Sequence, residues 1–281
     1  MLNENLYRIG AATIVLLIMA GWEIVAPKRK LTTVKARRWT TNLTIIGLDN
    51  LLAMLLIPVT VIHVCLAAQA SKWGLFNQLD LPPVLTLFLS VLALDLIIYL
   101  QHLMFHAVPL FWRLHMVHHA DLDIDVTTGL RFHPVEIILS VFIKMATVAA
   151  LGPPVLAVLF FEILLNATAM FNHADVALPT NIDRWLRLIV VTPDMHRVHH
   201  SVIIRETNSN FGFNFPWWDR LFGTYRPQPA KGHQKMTIGL SQYRNLADLG
   251  LGKILLLPVT GNPGSYSLSS QGREPKKTNS P

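Results

Sequence analysis

The chain has 281 residues, of which 52% are hydrophobic and only 15% charged, with a formal net charge of +7. Soluble domains carry charge on about a quarter of their residues, so this balance excludes an ordinary soluble protein and points to a membrane protein. The one cysteine, Cys65, lies in an apolar run, which excludes disulfides, thiolate zinc sites and a cysteine-ligated iron–sulfur cluster within the chain.

The first apolar run, Tyr7 to Ala26, has about the 20 residues a bilayer-spanning helix needs. No basic segment precedes it, and Lys28, Arg29, Lys30, Lys35, Arg37 and Arg38 follow it. That order predicts a retained helix rather than a cleaved signal, with the basic loop in the cytoplasm. The basic residues flank apolar spans and form no stripe interleaved with aromatics, so they read as topology signals and nucleic acid is excluded as a partner. A second span is predicted over Leu43 to Ala68, with His63 inside it as a structural histidine. A third begins at Pro82-Pro83, a favoured helix start, and runs to His106.

The apolar stretch Val135 to Ala169 is interrupted by Gly152-Pro153-Pro154. It predicts a helical hairpin whose arms, about 16 residues each, cross a roughly 30 Å core marginally or enter it partway. Both ends then emerge on one side. From Phe171 the chain is polar enough for a cap on the cytoplasmic face, and Ile254 to Val259 is a short apolar patch for the cap or the membrane surface. The tail from Asn262 is rich in Ser, Pro, Gly and Lys and reads as disordered. The expected organisation is all-α: N-terminal transmembrane helices over 1–81, a catalytic domain over 82–228, and a C-terminal extension over 229–281.

Ten of the twelve histidines fall between His102 and His200. They read His102-x3-His106, His115-x2-His118-His119, His133, His173 and His196-x2-His199-His200. The i,i+4 pair and the two i,i+3,i+4 triplets each turn toward one side of a helix. Imidazole is the commonest metal ligand, and ten are more than one ion takes, so the pattern points to two metal ions. All-nitrogen ligation suits iron, copper, nickel or zinc and disfavours calcium and magnesium. Tyr99 and Asp95 extend the His102–His106 face backward, where a phenol and a carboxylate can accept the outer N–H of a ligating ring. His233, in a polar loop, is set aside as structural.

These residues resemble the fatty acid hydroxylase/sterol desaturase superfamily of integral-membrane non-haem di-iron enzymes. The boxes stand here as HLMFH, HMVHH and HRVHH, flanked by FWRLHMVHH, GLRFHPVE, FNHAD, TPDMHRVHH and WDRLFGTY. The resemblance covers Asp95 to Tyr225. It implies a helical membrane base with a cytoplasmic helical cap, and two iron ions (Fe2+/Fe3+) held by His102, His106, His115, His118, His119, His133, His173, His196, His199 and His200. It further implies O2 as cosubstrate and hydroxylation or desaturation of a C–H bond in a membrane lipid or sterol.

The chain carries no haem motif, flavin or nicotinamide GxGxxG, or iron–sulfur cysteine set, so the electrons must come from an external ferredoxin- or cytochrome-type donor with its reductase. Arg184, Arg187, Arg197 and Arg205 could dock an acidic donor or lipid headgroups. Trp217-Trp218-Asp219-Arg220 reads as a structural clamp. Glu162 and Asn166, i,i+4 in the second hairpin arm, border a substrate path or bridge helices, and Asp121, Asp123 and Asp125 read as a solvated turn. Hydroxylation needs only one C–H abstraction and is the leading reaction, with desaturation as the alternative. A zinc-dependent hydrolase would need a carboxylate beside the metal, and no HExxH occurs. A metal transporter would need ligands at mid-bilayer. The expected location is an inner membrane or endoplasmic reticulum.

Overall fold

The computed structural model describes residues 2–270. Seven helices come first: α1 (Leu2–Val25), α2 (Lys35–Leu56), α3 (Val61–Ala70), α4 (Pro83–Ala107), α5 (Pro109–His119), α6 (Pro134–Leu151) and α7 (Val155–His173). Shorter ones follow: α8 (Thr180–Leu186), α9 (Pro193–His199), α10 (Ile204–Thr207), α11 (Trp217–Leu221), α12 (Gly232–Lys235) and α13 (Leu251–Thr260). No strand occurs among the described residues; two isolated bridges join Pro27 to Val176 and Ser201 to Ile238. The fold is all-α, with Leu6–Val25, Lys35–Asn77, Pro83–Ala107, Pro134–Leu151 and Val155–His173 long and apolar enough to cross a membrane.

The second span departs from the expected single helix. Proline has no N–H and its ring clashes with the carbonyl four residues back, so α2 stops at Leu56, just before Pro58. A new helix, α3, starts after Thr60. His63 closes a capping box there: its backbone N–H donates to Thr60 Oγ1 and its Nδ1 accepts from the Thr60 N–H at 3.1 Å. The expected hairpin is present as α6 and α7, of 18 and 19 residues, close to the length that spans a bilayer core at 1.5 Å per residue. Gly152 turns it in the left-handed conformation, φ 60°. A Cβ there would lie 2.5 Å from the Trp73 carbonyl, so the turn is seated on the 73–77 segment. Cys65 donates its thiol to the Pro153 carbonyl at 2.9 Å.

The cap is clamped to the base by charges that the sequence reading left in solvent. Asp121, Asp123 and Asp125 are all buried, not a solvated turn. Arg38, 1% exposed, reaches Asp121 with two nitrogens at 2.6 and 2.8 Å and Asp125 with a third at 2.7 Å. Asp123 accepts the backbone N–H groups of Thr32 and Thr33. Burial alone would raise the Asp121 pKa, and the Arg38 guanidinium more than reverses this, holding the carboxyl below the usual carboxylate range. Lys28 bonds Asp194 at 2.7 Å, and Arg29 donates to the carbonyls of His233 and Met236. The basic loop therefore lies at the same end of the bundle as the cap, and part of its charge is structural. Lys30 and Arg37 remain exposed.

Of the two places expected for the Ile254–Val259 patch, the structure shows the cap: Ile254 and Leu257 pack with Trp112, Met116 and Ile45, while the chain after it departs from expectation. Beyond it, Tyr266 is 2% exposed and stacks on Trp112 at 5.7 Å. The chain from Asn262 to Ser267 is thus packed rather than disordered, because Trp112, Asn208 and Ala107 offer it hydrogen bonds and an aromatic face. The rest of the predicted disordered tail, 271–281, lies outside the described residues.

Replacing Arg38 by Met would leave Asp121 and Asp125 buried without their cation. The expected cost is about 3–5 kcal/mol, read as loss of thermal stability in detergent; an unchanged melting temperature would contradict the clamp.

Candidate metal centre

Four helix ends meet in the cap. His102 and His106 occupy the last turns of α4; His115, His118 and His119 the last turns of α5; His173 ends α7; His196 and His199 lie on α9, with His200 as its C-cap. Local sequence sets these ends. Pro109 starts α5 immediately after α4, and Pro193 with the Thr192 side-chain cap starts α9. Gly129 lets the 128–130 turn approach α7, since a Cβ there would lie 2.6 Å from the Ala169 carbonyl and 3.2 Å from His173 Nδ1.

The nine rings are buried and form two groups, each with its ligand atoms within 4.8 Å of one another. One holds His102, His106, His115, His119 and His199; the other holds His118, His173, His196 and His200. The protonation pattern follows from the partners. Backbone carbonyls only accept, so Nδ1 carries the proton where it faces one: His102 donates to Phe211 at 2.7 Å, His118 to Arg131 at 3.1 Å, His173 to Ala169 at 2.6 Å and His199 to Ser209 at 2.7 Å. His106 Nδ1 donates to Asn208 Oδ1 at 2.9 Å, since the amide nitrogen of Asn208 is spent on the Tyr266 carbonyl. His115 Nδ1 donates to Glu136 Oε1 at 2.7 Å.

A neutral ring protonated at Nδ1 has a bare lone pair at Nε2. These lone pairs face one another: His102 and His115 meet Nε2 to Nε2 at 3.1 Å, as do His118 and His173. The Nε2 atoms of His106, His119, His199 and His200 are buried without any partner among the described residues. Buried polar atoms are normally satisfied, and opposed lone pairs repel, so this donor set fits cations placed within each group. Burial, with the neighbouring imidazoles adding to it, keeps His118, His119, His196, His199 and His200 well below the ordinary histidine pKa, and burial lowers His115 to about 3. The rings are therefore neutral and free to coordinate.

The structure separates three predicted residues from this set. His133 belongs to neither group: it caps α6, accepting the Val135 N–H at Nδ1, with Nε2 3.2 Å from the Leu255 carbonyl. Asp95 and Tyr99 touch no histidine nitrogen. Asp95 accepts from Trp218 Nε1 at 2.8 Å, and Tyr99 bonds Thr224 at 2.9 Å and stacks on Phe222. The face they share with His102 is real, but the 211–224 segment comes between them and the rings. That segment is the clamp expected around Trp217-Trp218-Asp219-Arg220: Asp219 accepts the N–H groups of Phe211 and Gly212 and fixes the carbonyl that holds His102.

Sequence reasoning passed over Glu136 and Asn208. Glu136 stands three residues after His133 in the first turn of α6; a carboxylate at the start of an apolar helix was its only signal. Arg187 and Arg197, considered for docking a donor, are buried against Asp183 and Asp194; Arg184 and Arg205 are exposed. Glu162 is gripped by Arg8 at 3.3 Å and Lys144 at 3.4 Å.

Below the rings lies a cavity of about 320 Å³ between α1, α2, α4, α6 and α7, with His102 and His115 on its wall. Phe132, Phe213 and Leu165 make much of its apolar lining. Phe132 stacks on His118 at 4.5 Å, and Phe213 lies 5.0 Å from His102.

Two outcomes are expected. Glu136→Ala, which strips the His115 N–H of its acceptor, should weaken metal binding about 10–100-fold in chelator competition, with Glu136→Gln retaining most of it; equal affinity in all three proteins would contradict the role. In metal-depleted protein the unfolded chain binds protons near pH 6.5 and the buried rings do not. Stability should be full above about pH 6.5 and fall as pH drops below it. Thermal unfolding at pH 8, 6.5 and 5 checks this, and a flat profile from 6.5 to 5 would contradict it.

The fatty acid hydroxylase family model matches residues 87–224, the segment that supplies all nine rings. An ornithine lipid hydroxylase of Rhizobium tropici is 28% identical over 148 residues, covering 53% of this chain and 44% of that protein. An alkylglycerol monooxygenase of Xenopus tropicalis is 30% identical over 168 residues, 59% of this chain and 36% of that protein. A methylsterol monooxygenase of Arabidopsis thaliana is 25% identical over 142 residues, 50% and 51%. The chain thus spans about half or less of the length of these relatives, and no solved structure matches it. With its five apolar helices and its paired histidine groups at one end of them, the chain is an integral membrane protein and, through residues 87–224, belongs to the fatty acid hydroxylase family.

Proposed function

We propose that the chain is a membrane-bound, O2-dependent non-haem di-iron enzyme that hydroxylates a C–H bond of a membrane lipid. The observation that carries this reading is the pairing of five and four buried imidazoles directly above a cavity in the helical base. His102, His106, His115, His119 and His199 would hold one iron, and His118, His173, His196 and His200 the other. Bound iron supplies the redox chemistry that activates O2, which zinc lacks. The names of the relatives, hydroxylases and monooxygenases of lipids and sterols, support the same chemistry.

The protein's own part is positioning and exclusion. The Nδ1 partners of His102, His106, His115, His118, His173 and His199 fix those six rings so that Nε2 points inward. Phe132, Phe213 and Leu165 hold an apolar chain against the wall carrying His102 and His115 and keep bulk water from it. Glu136 holds His115 and faces the same cavity. The electrons come from an external ferredoxin- or cytochrome-type donor, since the sequence has no motif for a carrier of its own. The exposed Lys30 and Arg37 of the basic loop support a cytoplasmic position for this end of the bundle. Desaturation would use the same residues, and the product separates the two.

The test is lipid analysis of a deletion strain complemented with wild-type or His118→Ala protein under 18O2. The expected result is a lipid heavier by one labelled oxygen with wild type and none with the variant. A product lacking two hydrogens and gaining no oxygen would establish the desaturase instead, and full complementation by His118→Ala would contradict the metal-dependent reading.

A further inference from the structure

Asp49 lies in the second half of α2, 5% exposed. It makes no hydrogen bond or ion pair with any described residue, and its Oδ1 is buried without a partner. It lines the cavity that His102 and His115 face. Ionisable groups inside apolar spans are costly and are kept for a purpose. The other charges of the cavity wall have partners: Arg8 and Lys144 share Glu162, and Glu136 holds His115 through Oε1, though its Oε2 is buried without a partner. Gln101, on α4, presents a further buried acceptor without a partner, Oε1, because its amide nitrogen is spent on Ser140 Oγ at 3.0 Å. Asp49, Gln101 and Glu136 all line one space, and no donor of the described residues reaches these three oxygens.

We propose that Asp49, assisted by Gln101, is a specificity-determining residue that receives a hydroxyl or ammonium group of the lipid substrate. The inference rests on the oxygenase reading of the histidine centre. Position supports it. Asp49 stands seven residues, about 10 Å along the helix, below Asn42, which is bonded into the cap at Asp121 and Arg131. It is therefore near the level where lipid headgroups meet the base. Size supports it too: a cavity of about 320 Å³ is at the small end of ligand sites. It encloses a headgroup and the first carbons, leaving the remaining chain against the apolar outer helix faces. The oxidised carbon then lies close to the donor group and not at the far end of a long chain. Asp49 lies outside the 87–224 segment, so this recognition is a feature of the N-terminal helices.

The test reads binding separately from turnover. Metal-loaded, detergent-purified full chain, without reductant, is mixed with the total lipid extract of the deletion strain. The extract is used native or after acetylation, which caps free hydroxyls and amines, and mass spectrometry identifies the lipids retained. Wild type should retain donor-bearing lipids about tenfold better from the native extract, the worth of one hydrogen bond to a charged group, and Asp49→Leu should lose that preference. Asp49→Asn separates the sources: retention near wild type identifies a hydroxyl, and loss identifies an ammonium. Equal retention of native and acetylated lipids by wild type overturns the proposal, and this arm stands even if Asp49→Leu does not fold. If wild type retains the lipids but leaves them unoxidised when reductant and O2 are added, the oxygenase reading fails while the docking role stands.

Discussion

Bare nitrogen lone pairs packed together in a buried space repel one another, and nine buried imidazoles are gathered at one end of this bundle. The arrangement persists because six of the rings have their outward N–H held by an acceptor, so those six cannot turn away or trade a proton to relieve the crowding. Burial removes the other escape, protonation, by making a charged imidazolium costly in a dry interior. What remains is coordination of a cation, and each group brings its nitrogens close enough together to hold a metal ion.

The rest of the molecule serves that constraint. Carbonyls of Phe211, Ser209, Arg131 and Ala169 hold four of the rings, and each belongs to a segment fixed by something else. Asp219 pins the 211–212 backbone. Arg131 is buried and anchored to Asn42 and the Val117 carbonyl. The Arg38–Asp121–Asp125 knot seats the turn that follows α5 on the start of α2. The N-terminal helices, which contribute no ring, thus hold the cap that carries them all. They also wall the cavity beneath it, so the part of the chain outside the family match bears on what enters.

The three boxes were legible in the sequence because their spacing is helical and imidazole has few competing uses in an apolar chain. The helical base was legible from run length. What escaped detection depended on partners distant in sequence. Asp121, Asp123 and Asp125 look like an exposed turn unless Arg38 and the Thr32–Thr33 backbone, some ninety residues earlier, are known to cover them. Asp95 and Tyr99 lie on the correct face, but a segment more than a hundred residues later takes their hydrogen bonds. His133 resembles a ligand by composition and is used as a cap. Pro58 was a readable helix break, masked by the hydropathy around it. The tail's polar composition hid Tyr266, whose one large ring closes against Trp112.

The most direct measurement is iron stoichiometry by elemental analysis after anaerobic loading, for wild type and for variants that disable one group at a time. Two irons per chain are predicted for wild type. One should remain when His106 and His119 are both replaced by Ala, and one when His196 and His200 are. A single iron in wild type, or loss of both irons when either group alone is disrupted, would contradict a centre built from two separate sets of lone pairs.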